Sequence, residues 1–310
     1  MIVKLLSNSR YNETNATASV VVLSGTQKAI FGYGSGPTAI TNLVSNTGVV
    51  ATDTTGVGTA RRELAAAGYG SDKAIFGYGL ITGVSVSMTN LVSNTGVVAT
   101  DTTGVGTARH QLAAAGYGTD KAIFGYGETS GSLDVSMTNL VSNTGVVATD
   151  TTGVGTARRL LAAAGYATDK AIFGYGVSGG YVSVTNLVSN IGVVATDVTG
   201  VGTSRYGLVA AGYGTDKAIF GYGFAYSNVS ITNLVSNIGT VATDTTGVGT
   251  ARRHIAAAGY GTDKAIFGYG YNNNNLSMTN LVSNTGVVAT DTTGVGTARS
   301  YLAAAGYSTT

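Results

Sequence analysis

Short apolar runs alternate with glycine-rich turns along most of the chain, and the pattern repeats about every 47 residues. Each period holds LAAAGYG, KAIFGYG, SMTNLVSN and GVVATDTTG or close variants, separated by turn signals such as GTD and SNTG. Because the runs are short and rich in β-branched or aromatic residues, they predict four antiparallel strands per period. A helix over the alanine run is the alternative, but that run is short and lacks apolar spacing over several turns.

Repeats of this length are typical of solenoids, propellers and arrays. Four strands in each of six periods predict an all-β fold, a β-propeller of six four-stranded antiparallel blades. Seven blades, one of them built from the two termini, is the alternative. The KAIFGYG segments that mark the periods begin at Lys28, Lys73, Lys121, Lys170, Lys217 and Lys264.

The small residues of LAAAGYG fit an innermost strand that is crowded around a propeller axis. Strict alternation along KAIFGYG would let a bulky face of one blade meet a glycine-bearing face of the next. The predicted faces are Ala29, Phe31 and Tyr33 on one side and Ile30, Gly32 and Gly34 on the other.

The repeat boundaries predict an N-terminal tail or extra strand over residues 1–17 and a single propeller domain over residues 18–310. Ser19–Leu23 leads directly into the first KAIFGYG, so we expect it to be the inner strand of the first blade. That assignment leaves Leu302–Tyr307 as a surplus strand.

The arrangement RxxLAAAGYGxDKAIFGYG resembles the kelch-type propeller repeat, in which an arginine precedes the inner strand and the second strand ends in glycines. The chain departs from that repeat by having GYG where a Gly-Gly doublet is usual, and by lacking the tryptophan of the fourth strand. The resemblance implies a propeller fold with its own blade packing.

The segment TNLVSNTGVVATDTTGVGTAR, which first occurs at residues 41–61, is similar to repeats in structural proteins of tailed bacteriophages, especially aquatic ones. This second resemblance implies a place on the surface of the phage particle (virion). The partners it implies are other virion proteins, further copies of this chain, or a glycan or receptor on the host surface.

Composition narrows the range of partners. The 310 residues are 44% hydrophobic and 10% charged, with a formal net charge of +2. The chain can therefore bury a core, and it lacks the basic excess of a nucleic-acid-binding protein. It has no cysteine and so no disulfide framework. No apolar stretch is long enough for a signal peptide or a membrane span, so we expect no membrane insertion.

Most charged residues recur at one position in every period, which indicates a structural role. We expect the aspartates to form Asx-type turns, and the lysines and arginines to form hydrogen bonds or salt bridges. Calcium binding at DTTG is the alternative, although one acid per site falls short of a calcium shell. The recurring acids are Asp53, Asp101, Asp150, Asp197, Asp244 and Asp291, together with Asp72, Asp120, Asp169, Asp216 and Asp263.

Enzymatic motifs are sparse. His110 and His254 occupy equivalent positions in different periods, so we expect surface residues and not partners in a metal site or triad. A hydrolase or lyase would have only Glu63, Glu128 and Asp134 as further acids. We therefore predict a non-enzymatic protein without catalytic residues, metal ligands or cofactors.

Individual function is expected where the copies differ, which is in the loop after GYG and in the two residues after the repeated arginine. In a four-stranded antiparallel blade these two segments emerge on one face. Loops rich in Tyr, Asn and Arg on a rigid scaffold favour ligand recognition, whereas drift of unconstrained loops is the alternative. The candidate ligand-binding residues are Arg62, Glu63, His110, Arg159, Tyr181, Tyr206, Phe224, Tyr226, Arg253, His254, Tyr271, Asn272, Asn273, Asn274 and Tyr301.

These inferences combine into one functional hypothesis. The sequence predicts a phage appendage or decoration protein that binds a host surface, with glycans as candidate ligands, through the variable face. The competing hypothesis is a purely structural subunit that contacts other virion proteins.

Overall fold

A computed structural model describes residues 27–308, and all of the regular structure in this range is β. Six three-stranded antiparallel sheets and one two-stranded ladder make up the fold. The predicted tail at residues 1–17 and the predicted strand Ser19–Leu23 lie outside the described range. Within that range there is no helix long and apolar enough to cross a membrane.

Each three-stranded sheet has a first, a second and a third strand, numbered here along the chain. The first strands are β3 (Ala65–Tyr69), β7 (Ala113–Tyr117), β11 (Ala162–Tyr166), β14 (Val209–Tyr213), β17 (Ala256–Tyr260) and β20 (Ala303–Tyr307). The second strands are β1 (Lys28–Gly32), β4 (Lys73–Ile81), β8 (Lys121–Gly125), β12 (Lys170–Val177), β15 (Lys217–Phe224) and β18 (Lys264–Asn272). The third strands are β2 (Thr41–Val44), β5 (Val84–Val92), β10 (Thr138–Val141), β13 (Tyr181–Val188), β16 (Asn228–Val235) and β19 (Asn274–Val282).

We call the six sheets units 1 to 6 in the order of their second strands. Two short strands, β6 (Arg109–His110) and β9 (Glu128–Thr129), form the two-stranded ladder beside unit 3. The alanine-rich runs are therefore strands, as the repeat pattern predicts, and not helices.

Unit 1 takes its first strand from the C-terminal end of the chain. β20 pairs antiparallel with β1, with Lys28 opposite Tyr307 and Gly32 opposite Ala303. The expectation that Ser19–Leu23 fills this position and that Leu302–Tyr307 is surplus is wrong, because β20 already occupies this edge of β1. The AAAGY sequence of β20 matches the other first strands, whereas Ser19–Leu23 has valine and leucine where small residues are needed.

The six first strands contact one another in a closed cycle. β3 contacts β7, and the contacts continue through β11, β14 and β17 to β20, which in turn contacts β3. A methyl group added at Gly68 would lie 3.2 Å from the carbonyl oxygen of Gly306 in the neighbouring first strand. Crowding at the centre of the cycle therefore explains why these strands are built from alanine and glycine.

The fourth predicted strand of each period does not extend the sheet. In unit 1 it touches β2 through isolated bridges, Val44 to Val50 and Thr41 to Thr54. Between them, Nδ2 of Asn42 donates to the carbonyl oxygen of Ala51 at 3.0 Å. Because a side-chain amide takes the place of backbone donors here, the ladder is interrupted and the sheets have three strands instead of the four predicted.

Neighbouring units pack an aromatic ring against a glycine. A methyl group at Gly32 would lie 2.8 Å from Cζ of Phe76, so only glycine leaves room for the ring of the next unit. Tyr33 packs on the same Phe76, with ring centroids 5.2 Å apart, while Phe31 faces Tyr269 on the other side. The predicted alternation is therefore wrong for Tyr33, because its φ of 65° turns the side chain to the face of Gly32.

The repeated arginines are buried clamps between units. Nε of Arg61 donates to the carbonyl oxygen of Tyr78 at 2.8 Å, and Nη2 donates to Oδ1 of Asn90 at 2.7 Å, both in unit 2. Its guanidinium also lies 4.4 Å from the ring centroid of Tyr33 in unit 1, in cation–π geometry. The equivalent clamps are Arg109, Arg158, Arg205, Arg252 and Arg299, all fully buried.

The aspartate of each DTTG segment completes the clamp. Asp101 accepts hydrogen bonds from the backbone nitrogen and Oγ1 of Thr59, at 2.9 and 2.6 Å, and one from Nδ2 of Asn90. Burial raises the pKa of Asp101, but these hydrogen bonds and the charge of Arg61 outweigh burial, and the pKa lies below its usual range. The predicted Asx-type turn is therefore wrong, because the partner Thr59 lies 42 residues away.

The other recurring acids pair with the lysines that follow them, as expected for a structural role. Nζ of Lys73 lies 2.7 Å from Oδ1 of Asp72. Asn94 in the neighbouring SNTG turn donates to the other oxygen of Asp72. This end of the molecule therefore repeats one polar arrangement in most of the units.

Candidate binding face

The structure brings the two variable segments of each unit together. The first residue after the repeated arginine pairs with the residue that follows GYG: Arg62 with Leu80, and Arg159 with Val177. His110 pairs in the same way with Glu128, Tyr206 with Phe224, and Arg253 with Tyr271. In unit 1 the backbone N–H of Ser35 donates to the carbonyl oxygen of Ser300. The variable positions thus form one surface, which we call the variable face.

The second residue after each arginine lies in a ring around the centre of this face. Each one has a left-handed backbone and donates its N–H to the carbonyl oxygen of its counterpart in the preceding unit. The donor–acceptor pairs are Glu63 to Tyr301, Gln111 to Glu63, Leu160 to Gln111, Gly207 to Leu160, His254 to Gly207 and Tyr301 to His254. These bonds close a complete circle, which we call the axial ring.

The axial ring encloses only a small cavity. Its volume is about 70 Å³, well below the roughly 300 Å³ at which small-molecule sites begin. The ring therefore positions side chains, while any larger ligand must bind on the face around it.

Four aromatic side chains gather on the variable face of units 4 and 5. The ring centroid of Tyr181 lies 5.1 Å from that of Tyr206, 6.3 Å from Phe224 and 5.5 Å from Tyr226. Tyr206 and Phe224 are 5.3 Å apart. Tyr226 is 91% exposed. We call these four residues the aromatic cluster, and its outer edge faces solvent.

His254 and Tyr301 extend the aromatic surface into the axial ring. Their rings are stacked, with centroids 3.8 Å apart and planes at 20°. His254 is also 6.0 Å from Tyr206. Burial, with a smaller contribution from the charge of Arg253, lowers the pKa of His254 to about 3, so the imidazole is neutral at physiological pH. Burial also raises the pKa of Tyr301 to about 12.

Arg253 lies between aromatic rings at the edge of the cluster. Its Cζ is 4.7 Å from the ring centroid of Phe224 and 5.2 Å from that of Tyr271. Nη1 donates to Oδ1 of Asn228 at 3.1 Å. The buried Nε has no hydrogen-bond partner in the part of the chain that the structure describes.

The asparagine loop of unit 6 adjoins Arg253. Nδ2 of Asn228 donates to Oδ1 of Asn272 at 3.0 Å. Asn273 turns the hairpin with a φ of 59°, and Asn274 begins β19 with its side chain exposed. The loop thus supplies exposed amide groups beside the aromatic cluster.

Units 2 to 4 present a different surface, which we call the charged cluster. Nε2 of His110 lies 3.7 Å from Glu63 and 3.6 Å from Glu128. Arg159 pairs with Asp134 at 2.8 Å and with Glu128 at 3.4 Å. The sequence did not predict that Glu63 meets His110, because this contact joins residues from units 2 and 3.

The expectation that His110 and His254 are surface residues is wrong. Both side chains are largely buried, because the connections between units fold into the centre of the face instead of projecting from it. The two histidines belong to different clusters, His110 with the acids and His254 with the aromatic rings.

The arrangement of the acids and histidines does not form a metal site in the part of the chain that the structure describes. No group of three or more His, Cys, Asp or Glu residues between residues 27 and 308 is arranged to hold an ion. At the DTTG segments, both oxygens of Asp101 already accept hydrogen bonds, from the backbone N–H and hydroxyl of Thr59 and from the amide of Asn90, and the N–H groups offer no lone pair to a cation. The calcium alternative therefore finds no shell of oxygen ligands at this position.

The opposite end of the central axis carries a cup of about 300 Å³, lined by repeated lysines, threonines and tyrosines. Lysines of this cup, such as Lys121, pair with the preceding aspartate. The cup is therefore built from scaffold residues that differ little among the units.

No protein-family model and no curated protein matches this chain. The kelch-type and bacteriophage resemblances therefore stay predictions from the repeat itself.

Proposed function

We propose that the six units are the blades of a six-bladed β-propeller. The closed cycle of first strands, the pairing of β20 with β1, and the axial ring of hydrogen bonds support this architecture. In such a ring each blade buries its faces against two neighbours, and joining the ends of the chain leaves no terminal blade unpaired. Class averages with six-fold symmetry in electron micrographs would test the blade number.

We propose that the protein is a non-enzymatic binding module that recognises carbohydrate through the aromatic cluster. The observation that carries this proposal is the ring of Tyr226, which is 91% exposed and packs on the half-buried Tyr181 with ring centroids 5.5 Å apart. Tyrosine rings offer an apolar surface for the C–H face of a sugar, and their hydroxyls can hydrogen-bond with sugar hydroxyls. Tyrosine also presents this area with little loss of side-chain entropy.

The acids of the charged cluster support binding without catalysis. Glu63 is held by Arg62, Glu128 by Arg159 and His110, and Asp134 by Arg159. A hydrolase or lyase needs at least one acid or base that is positioned to meet a substrate proton. Incubation with each bound polysaccharide should therefore release no new reducing ends or unsaturated products.

The binding proposal is tested with a panel of bacterial surface polysaccharides and matched variants. Tyr226→Ala removes an exposed ring of the aromatic cluster. Leu133→Ala removes a side chain that is also exposed, at the loop tip of unit 3. We expect selective binding by the parent protein, at least tenfold weaker binding by Tyr226→Ala, and parent-like binding by Leu133→Ala. Equal losses in both variants, or no binding by the parent, would overturn the proposal.

A role in assembly is the second candidate, and one observation favours it. Exposed apolar side chains recur near the SNTG turns on the periphery of the units, away from the variable face. They are Val49, Val97, Val146, Ile191, Val193, Ile238 and Val287. Replacing them together with threonine should abolish self-association or capture by other particle proteins while leaving saccharide binding intact.

A place on a phage particle is the biological setting we propose for this module, and its support is the resemblance of the repeated segment alone. Antibodies against the protein, applied to purified particles, would locate it on the virion or show that it is absent.

A further inference from the structure

Among the described residues, Arg253 differs from the arginines at the same position of units 2 and 4 in having no counter-charge. Arg62 lies 3.1 Å from the carboxylate of Glu63, and Arg159 lies 2.8 Å from Asp134. Within residues 27–308, the side-chain partner of Arg253 is the neutral amide of Asn228. Of these three arginines, Arg253 alone forms no ion pair with a carboxylate of the described residues.

The surroundings hold this cation in place. Phe224 and Tyr271 pack on the guanidinium, and Asn228 is itself fixed by Asn272. A guanidinium that is oriented in this way favours a carboxylate, because its planar donors match the two carboxylate oxygens.

Arg253 also adjoins the aromatic cluster. Phe224 contacts the guanidinium of Arg253, and its ring is 6.3 Å from that of Tyr181. A saccharide that packs on Tyr181 and Tyr226 therefore has a cation within reach of its substituents. The charged cluster has the opposite balance, with three carboxylates against two guanidinium groups, so it disfavours an anion on the other half of the face.

We infer that the saccharide is anionic, a uronic-acid or similar carboxylate-bearing sugar whose ring packs on Tyr181 and Tyr226 and whose carboxylate pairs with Arg253. This inference depends on the proposed carbohydrate binding and specifies its ligand class. An acidic peptide could satisfy the guanidinium as well, but its backbone does not offer the apolar C–H face of a sugar ring to cover the exposed Tyr226.

The test compares each acidic saccharide with its own neutral derivative. Oligogalacturonate and oligosialic acid are titrated into the protein by calorimetry, beside their methyl esters, which keep the sugar and remove the charge. We expect at least one acid to bind about ten- to hundredfold more tightly than its ester, the range expected for a charge-assisted hydrogen bond. That preference should weaken as salt is raised.

Two matched variants assign the preference to a residue. Arg253→Gln should bind acid and ester equally, whereas Arg159→Gln, at the equivalent position of unit 4, should keep the preference for the acid. Thermal unfolding of both variants shows whether they are folded. A preference for the acid that persists in folded Arg253→Gln would overturn the role of this residue.

The remaining outcomes separate this inference from the binding proposal. Equal binding of acids and esters by the parent protein, with both lost in Tyr226→Ala, would overturn the anionic ligand and leave carbohydrate binding standing. Binding of polyglutamate, without binding of any saccharide of the panel, would overturn both proposals.

Discussion

Nε of Arg299 donates a hydrogen bond to the carbonyl oxygen of Tyr33 at 2.8 Å, across 266 residues of chain. The same guanidinium lies 4.4 Å from the ring centroid of Tyr269. Arg299 therefore joins unit 6 to unit 1 through the same contacts by which Arg61 joins unit 1 to unit 2. The last connection of the chain closes the cycle with the geometry of an ordinary repeat.

Closure by the C-terminal strand predicts that the last residues are indispensable. Deletion of residues 302–310 should lower the free energy of unfolding by more than about 5 kcal/mol, because it uncovers β1 and removes several buried side chains, each worth roughly 2 to 5 kcal/mol. Urea denaturation followed by circular dichroism measures the change. If Ser19–Leu23 could replace β20, the truncated chain would unfold at nearly the same urea concentration as the parent.

The buried clamp predicts that substitution of Arg61 lowers the free energy of unfolding much more than substitution of the adjacent Arg62. Arg61→Met should cost about 3 to 5 kcal/mol, because the carbonyl oxygen of Tyr78 and Oδ1 of Asn90 both lose a buried, charged donor. Arg62→Met alters a side chain that is 40% exposed and should cost about 1 kcal/mol or less. Equilibrium unfolding of the two variants under identical conditions compares them. Equal costs would mean that the clamp contributes nothing beyond an ordinary surface pair.

An aromatic ring of one unit packs against a glycine of its neighbour. We therefore expect that adding a single methyl group at this glycine destabilises the protein. Gly77→Ala would place Cβ 2.7 Å from Cζ of Phe124 in the next unit, and overpacking of this kind typically costs roughly 1 to 3 kcal/mol. Gly180→Ala is the control, because no atom lies within 4 Å of the added methyl group. Thermal melts should show a lower midpoint for Gly77→Ala alone.

The buried His254 predicts a loss of stability in mild acid. Folding lowers its pKa from 6.5 to about 3, so the unfolded chain binds the proton more tightly than the native protein. The contribution of His254 to the free energy of unfolding is therefore fully present above pH 6.5 and declines as the pH falls toward 3. The decline is about 1.4 kcal/mol per pH unit, or roughly 2 to 3 kcal/mol between pH 6.5 and 4.5.

His254→Phe keeps an aromatic ring against Tyr301 and removes the titration. Its free energy of unfolding should vary less between pH 7 and 4.5 than that of the parent, as measured by urea denaturation at each pH. Matching pH profiles for the two proteins would show that His254 is not the acid-sensitive group. The aspartates of the clamps act in the same direction, but only below their ordinary pKa of 3.8, because their pKa values in the folded state are lowered.

The variable face is built from the positions at which the copies of the repeat differ. Comparing the copies within one chain separates scaffold from variable positions, and the structure places the variable ones together. Comparison of the copies cannot predict which variable residues contact one another. Tyr181 and Tyr206 come from units 4 and 5, and Glu63, His110 and Glu128 come from units 2 and 3. Those contacts depend on how far each unit is rotated from the next, which no single period encodes.

The sequence by itself determined the all-β class, the six copies, the positions of the three strands of each sheet and the small residues of the first strands, because these follow from local periodicity and turn chemistry. Tertiary structure alone decided that the C-terminal strand completes unit 1, and that Asn42 interrupts the fourth strand. It also turned Tyr33 to the opposite face, buried the two histidines and gave Arg253 no counter-charge. In each case distant groups compete for one strand edge, one hydrogen-bonding partner or one packing space. The local sequence pattern carries no information about such competition.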